Sequence, residues 1–287
     1  MPNLVKLSCA VVASVGVSAC GGSSSGPDIP QLMLAPEALQ SGDVVLSNGG
    51  DGTMPVINGQ PVDLTQGVTF GVTDPIAFGQ PLDKSFEYLV GTAGSLVGSV
   101  FVQQTNTIVA ADGLSLSRGQ DTTVQIAGDA QLSGPYRGFI RDANAPLRSG
   151  GFDNAAQVSG NTQVTVNLGE GTFAGSITDR RTNGFVPFLP TKQGADLDDL
   201  TITSGMLDAN GVFTGQAIGG NGNFEGATVT AFPATINAMI DRESATGAAS
   251  DLVAVGTVEQ RQTIRLAPTT GPAQEFTTRE TGVFVID

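Results

Sequence analysis

Gly134-Pro135-Tyr136-Arg137-Gly138, Gly171-Thr172-Phe173-Ala174-Gly175, Gly211-Val212-Phe213-Thr214-Gly215 and Gly222-Asn223-Phe224-Glu225-Gly226 repeat one word: glycine, any residue, an aromatic, any residue, glycine. A truncated copy follows at Gly282-Val283-Phe284. Strand alternation puts the two glycines and the ring of such a word on one face, so the ring lies over bare backbone. Glycine inside a strand otherwise weakens it, and it marks bends and close backbone approach. Several such strands in one chain predict a sheet curling into a barrel.

Working outward from these words, β patterning continues on both sides. Val164, Val166 and Leu168 alternate with polar residues. A Gly169-Glu170-Gly171 turn follows, and Phe173, Gly175 and Ile177 alternate again, which predicts a hairpin with one apolar face. Leu200 to Thr203 and Val212 to Ala217 predict a second hairpin, joined through Asp208-Ala209-Asn210-Gly211. Asn221-Gly222 is read as a turn into a strand from Phe224 to Phe232. Further strands are expected at Leu252 to Val258, Thr263 to Leu266 and Gly282 to Ile286. Ala234 to Ala245 has helical composition, yet Thr235 and Ile236 suit a strand equally, so the pattern leaves both open.

Upstream, Asp43 to Leu46, Val68 to Val72, Phe86 to Val90, Leu96 to Val102, Thr107 to Ala110 and Thr123 to Ile126 are rich in β-branched or aromatic residues and are read as short strands. Asp51-Gly52, Asn58-Gly59 and Asp112-Gly113 are read as tight turns. Gly59-Gln60-Pro61-Val62-Asp63 and Gly79-Gln80-Pro81-Leu82-Asp83 resemble each other as two similar loops. The fold class expected is therefore all-β. The barrel expected from the glycine-aromatic words occupies residues 130–287, and a β-rich N-terminal region is expected over residues 31–129.

The first residues carry a different signal. Lys6 precedes a short apolar run from Leu7 to Val17, which ends in Val17-Ser18-Ala19-Cys20. The run is far shorter than the roughly 20 residues a membrane-spanning helix needs. Small residues before a cysteine suit a cleavage site, so residues 1–19 are read as a signal peptide. The order resembles that of bacterial lipoproteins, which implies lipidation of Cys20 as a membrane anchor. Residues 20–30, including Gly21-Gly22-Ser23-Ser24-Ser25-Gly26-Pro27, are a tether with nothing to bury. Gly21 after the cysteine resembles lipoproteins forwarded to the outer membrane.

Removing residues 1–19 takes away one base, Lys6, and no acid, so the net charge moves from -14 to -15. Such a surface repels nucleic acid, and the membrane is expected as a partner only through the N-terminal lipid. Cys9 leaves with the signal peptide, so a disulfide or thiolate metal site in the mature chain is not expected.

The chain has no histidine, which removes Ser-His-Asp and Cys-His catalysis and imidazole metal ligation. Asp196, Asp198 and Asp199 could in principle supply a carboxylate pair, but aromatic residues make up 6% of the chain and sugar-stacking platforms are few. A solvated acidic loop is the simpler reading. Asp208-x-Asn210-Gly211 lacks the later ligands of a calcium loop and reads as a hairpin turn. Gly220-x-Gly222 with Gly226 precedes β patterning, not the helix a phosphate loop needs. Asn48-Gly49-Gly50-Asp51-Gly52 reads as a turn, and Arg180-Arg181 as a solvated loop. No catalytic residue, metal site or cofactor is expected.

From Gln131 to Asp287 the chain resembles the β-barrel domain of the transferrin-binding protein B family. The resemblance rests on Tyr136-x-Gly138, the Val164 to Ile177 hairpin, Ile202 through Gly205 into Gly211-x-Phe213-x-Gly215, and the ordered set Gly271, Pro272, Ala273, Glu275, Gly282 and Phe284. It implies a soluble, antiparallel, eight-stranded barrel tethered by lipid to the outer membrane. With the cysteine motif, the glycine-aromatic words and the absence of common catalytic residues, the expected function is non-enzymatic binding of a protein or small solute through loops. The alternative is a structural or assembly lipoprotein of the periplasmic face. Absence of tryptophan, with two tyrosines, argues against the aromatic girdles of a membrane-inserted barrel.

Overall fold

The structure is a computed structural model. It describes residues 31–42, 46–48, 55–57, 60–61, 68–69, 75–79, 86–103, 112–125, 128–142, 155–183, 185–186, 189–193, 196–219, 227–242, 251–266 and 272–287. The first half contains β1 (Gln31–Leu34), β2 (Glu37–Gly42), β3 (Leu46–Asn48), β4 (Pro55–Ile57), β5 (Gln60–Pro61), β6 (Val68–Thr69), β7 (Ile76–Gly79), β8 (Phe86–Ala93), β9 (Leu96–Gln103), β10 (Asp112–Arg118) and β11 (Thr122–Gln125). The second half contains β12 (Asp129–Asp142), β13 (Ala155–Asn167), β14 (Thr172–Asn183), β15 (Phe185–Val186), β16 (Leu189–Gln193), β17 (Leu200–Met206), β18 (Val212–Gly219), β19 (Ala227–Ala231), β20 (Ala234–Arg242), β21 (Leu252–Leu266) and β22 (Gln274–Ile286). No α-helix occurs among the described residues.

Eight of these strands close on themselves in the order β12-β13-β14-β17-β18-β20-β21-β22, because β22 pairs with both β21 and β12. Every pairing is antiparallel, so the expected all-β fold and eight-stranded barrel are present. Closure removes the open edges that would invite aggregation. Ala234 to Arg242 is a strand, which resolves the helix-or-strand ambiguity: Ala234, Ile236, Ala238 and Ile240 alternate inward with period two. The two strands expected at Leu252 and Thr263 are one continuous strand, β21. Its partner on one edge breaks instead. Ala231 pairs with Gln262 and Thr235 with Glu259, so one extra residue is inserted where Pro233, lacking an N–H, interrupts the ladder.

An eight-stranded barrel is just wide enough for side chains to fill it. Tyr136, Phe173, Phe213 and Phe284 do so, each with essentially no surface in water. Phe173 and Phe213 stack at 4.6 Å between ring centroids and 26° between planes. At one end, Leu34 of β1 and Val124 of β11 join the same apolar cluster and cap the barrel.

The six-stranded sheet β2-β10-β9-β8-β7-β6 packs against the outside of the barrel. Ile76, Leu89, Val100 and Leu116 meet Val255, Val283 and Val285 in a second apolar cluster. Gly91 and Gly98 are cross-strand partners at this interface. A Cβ at Gly98 would stand 2.7 Å from a Val255 methyl, and one at Gly91 would stand 2.5 Å from a Val285 methyl. These glycines let the two layers approach closely. The outward residues of β13, β14, β17 and β18 are mostly threonine, serine, asparagine and glutamine, not the apolar band a lipid-inserted barrel presents.

One local reading is corrected. Asp112-Gly113, expected as a turn, opens strand β10, and Asp112 is buried. Its carboxylate accepts from Arg141 Nε at 2.9 Å and Nη2 at 2.7 Å and pairs with Arg279 Nη1 at 2.9 Å. Two arginines on the barrel's outer face make burial of that charge possible, and neither is near it in sequence. Strands β1, β2 and β7 had no counterpart in the sequence reading. Thr107 to Ala110, Asp51-Gly52 and most of the two similar loops lie outside the described residues.

Candidate functional site

The two ends of the barrel differ. At the end capped by β1 and β11, residues 168–171 join β13 to β14, residues 207–211 join β17 to β18, and residues 243–251 join β20 to β21. At the other end are residues 143–154, 184–199, 220–233 and 267–273, and the first three of these are longer than any connection at the capped end. Long connections on a rigid scaffold are where recognition residues concentrate. The candidate site is this long-connection end, and the barrel interior beneath it is polar.

Arg180 is the center of that interior. Along β14, Phe173, Gly175 and Ile177 point inward. Asp179 then adopts a positive φ of 52°, beside a register shift between Ser159 and Asn161 of β13. The extra residue changes the parity, so Arg180 and Thr182 turn inward. The expectation of a solvated Arg180-Arg181 loop therefore fails for Arg180. Arg181 remains exposed and pairs with Asp196 at 3.7 Å.

Arg180 crosses the lumen over Gly160, where a Cβ would meet the arginine stem at 3.2 Å. Its Nη2 donates to Glu280, and its Nη1 donates to the Asp198 carbonyl. Glu280 also accepts from the Tyr136 hydroxyl at 2.7 Å. Burial, reinforced by the nearby Glu280 charge, raises the Tyr136 hydroxyl well above its usual pKa and keeps it a neutral donor. Burial alone would lower Arg180, but Glu280 and Tyr136 outweigh it, so the guanidinium stays charged. Gln262 donates to Gln260 at 3.0 Å, and Gln260 donates to the Phe232 carbonyl at 3.0 Å. This network ties the interior to the connection between β18 and β20.

The capped end has its own fastening. Arg118 donates to the carbonyls of Ala35, Asn210 and Ile240 at 2.9, 2.8 and 2.9 Å. Burial lowers its pKa, offset by Asp241, Asp208 and Glu37. Three carbonyls from three parts of the chain thus converge on one guanidinium. Asp241 in turn accepts from the Ser95 amide and hydroxyl, each at 2.6 Å.

The sequence-derived residues fall into several structural roles. Gly134 and Gly138 flank Tyr136 on β12, but the glycine that makes most room for the phenol is Gly282 on neighboring β22. Gly171 and Gly211 are turn residues with φ of 65° and 64° and seat no ring. Gly175 marks close approach of β14 to the Gln163 carbonyl. Gly215 lies under Phe213, as does Gly205 of β17, where a Cβ would stand 2.8 Å from the ring. Phe284 lies over Gly256 of β21. Gly222, Phe224, Gly226 and Cys20 lie outside the described residues.

Asp196 and Asp199 are exposed, and Asp198 offers its carbonyl to Arg180. Among the described residues no group of three or more acidic or thiol side chains converges as a metal site would need. Asp208 holds the β17–β18 turn, accepting from the amides of Asn210 at 2.8 Å and Val212 at 2.9 Å. Arg180, Glu280 and Asp112 were missed as partners because their pairing is a tertiary fact. The inward period of β22, which carries Glu280 on the same face as Gly282 and Phe284, was the available signal.

No family model and no curated protein matches this chain. Among solved structures it is similar to a single-residue mutant of the vaccine antigen Transferrin Binding Protein B from Haemophilus parasuis Hp5. The TM-score is 0.41 and the identity 13%, over 87% of this chain and 45% of that one. The chain therefore spans less than half the length of that structure, and a likeness at this level carries no argument about function.

Proposed function

We propose that the chain is a non-enzymatic lipoprotein of the outer membrane, anchored through lipidated Cys20, that binds a protein or small solute with the long-connection end of its barrel. The observation that carries this reading is the asymmetry of the barrel. Its interior is filled, the end with its two shortest turns is covered by β1 and β11, and its three longest connections leave together at the opposite end. A filled interior leaves the outer surfaces and connections for recognition.

The point where the tether joins the barrel suggests an orientation. Residues 21–30 separate Cys20 from β1 and can span at most about 35 Å when extended. Because β1 lies across the capped end, the tether joins the barrel there, and on this reading that end lies nearer the membrane than the ends of β12, β14, β18 and β21 from which the long connections start. Mass spectrometry of the mature N-terminus tests the anchor: a diacylated or triacylated Cys20 is expected, and an unmodified thiol would refute it. Protease shaving of intact cells tests display, with cleavage in residues 143–154 or 220–226 expected before the outer membrane is broken. Protection until it is broken would assign the protein to the periplasmic face.

A further inference from the structure

Two large apolar side chains stand together in water near the long-connection end. Ile218 is 62% exposed and Phe232 is 50% exposed. Gln216 pairs with Thr235 and Ala217 with Ala234, so the next step along β18 places Ile218 beside Phe232-Pro233. The Phe232 backbone is fixed on both sides. Its N–H donates to the Arg261 carbonyl at 3.0 Å, and its carbonyl accepts from buried Gln260 at 3.0 Å. A ring held exposed on a fixed backbone is preorganised for a partner.

Opposite charges flank this apolar pair. On the β17 side, Leu200 pairs with Gly219 and Thr201 with Ile218, so exposed Asp199 stands just beyond Ile218. Its carbonyl lies 3.8 Å from the position a Gly219 Cβ would take. On the β21 side, exposed Arg261 lies across the ladder from Phe232. The other charges nearby have counterparts of their own. Arg181 pairs with Asp196 and Glu259 with Arg279, and Arg265 has Glu275 as its cross-strand neighbor. Among the described residues, Asp199 and Arg261 have no ion-pair partner. Across the strands the order is therefore acid, Ile218, Phe232, base.

We propose that this wall is a self-association surface and that its occupant is a second copy of this chain. A two-fold axis running along the strands, between Ile218 and Phe232, reverses the order on the facing copy. Asp199 of each copy then meets Arg261 of the other, and each Phe232 meets an Ile218. The same axis leaves both capped ends on one side, as two copies tethered to one membrane require. An axis across the strands would set acid against acid and turn the capped ends apart. The patch is thus complementary to itself, which a surface for an unrelated protein need not be. The net charge of -14 on each chain opposes association, but charges farther apart than about 8 Å are largely screened at physiological ionic strength. Two apolar residues a side make a small interface, so the dimer is weak in solution and gains from confinement of both copies to one surface. The inference goes beyond the recognition reading and needs neither lipid nor ligand for its test.

That test is sedimentation velocity of the mature chain made without lipid, in reducing buffer at physiological ionic strength, over a concentration series. A reversible shift from monomer to dimer is expected as concentration rises. Phe232→Ala should raise the dimer Kd about tenfold, and Arg261→Asp or Asp199→Arg alone should do the same. Asp199→Arg combined with Arg261→Asp should return it to within about threefold of the native value, and the distant Met33→Ala should leave it unchanged. All these side chains are exposed, so the variants should melt within a few degrees of the native chain, which separates lost association from lost folding. A monomer at every concentration, single reversals that leave Kd unchanged, or a double reversal no better than the singles overturns the proposal. Each of those outcomes leaves the anchor and the recognition end standing, because mass spectrometry and protease shaving read them independently.

Discussion

At the residue scale, the barrel depends on pairs of a ring and a glycine. Phe284 over Gly256, Tyr136 over Gly282 and Phe213 over Gly215 each place an aromatic side chain where a Cβ would intrude. Alanine at Gly256 or Gly282 should therefore force the ring off its rotamer and destabilise the fold by about 1–3 kcal/mol, measured by urea unfolding. Gly128→Ala is the comparison for space, because nothing lies within 4 Å of its Cβ position, although its φ of 81° adds strain of its own. Phe213→Ala, which empties the center of the stack with Phe173, should cost about 3–5 kcal/mol. The repeated words made the rings legible in the sequence. They did not reveal which glycine serves which ring, because Gly256 and Gly205 come from neighboring strands and lie in no such word. Gly171 and Gly211 belong to the words yet serve turns, where a positive φ is the requirement.

At the scale of elements, the polar cluster of β12, β14 and β22 makes two predictions. Glu280→Leu strands the buried Arg180 charge and should cost about 3–5 kcal/mol in urea unfolding, while Arg180→Leu with Glu280→Leu recovers most of the loss. Recovery is expected because the apolar pair needs no compensation, whereas one remaining ion does. The second prediction concerns alkaline pH. The folded chain holds the Tyr136 proton above pH 10, but the unfolded chain releases it, so the unfolded state binds fewer protons there. Stability should fall as pH rises beyond about 10, and Tyr136→Phe should flatten that part of the profile. Equal slopes for both chains would show that the hydroxyl titrates freely. The hairpin patterns of β13–β14 and β17–β18 were readable because period-two alternation is local. Arg180 was not, since the bulge at Asp179 reverses alternation midway along β14.

At the scale of the whole molecule, the closed barrel and the sheet packed on its outside are joined by an apolar cluster separate from the barrel's own interior and by a buried ion network. Asp112 binds β10 to Arg141 and Arg279, and Arg279 also pairs with Glu259 at 2.9 Å. Asp112→Leu should leave two arginines without their carboxylate and loosen the N-terminal sheet, seen as faster amide exchange in β8, β9 and β10 than in β12 and β13. Closure and strand class followed from the sequence because they rest on glycine, aromatic and turn chemistry. The packing of the first half against the second was less legible. Leu252 to Val258 and Val283 to Ile286 are nearly continuous apolar runs, as strands buried on both faces require, but the partner sheet is unnamed in them.

The central claim is that the barrel stands with its short-turn end toward the membrane and its long connections away from it. On the proposed lipidation of Cys20, the protein is purified from membranes and returned to liposomes carrying an acceptor dye at the bilayer surface. Its Cys20 sulfur is then blocked by lipid, so Met33→Cys and Ile218→Cys each accept one fluorescent donor, at opposite ends of a barrel roughly 30 Å long. Strong energy transfer from position 33 and weak transfer from position 218 is the result expected. Equal transfer from both, or stronger transfer from position 218, would contradict it.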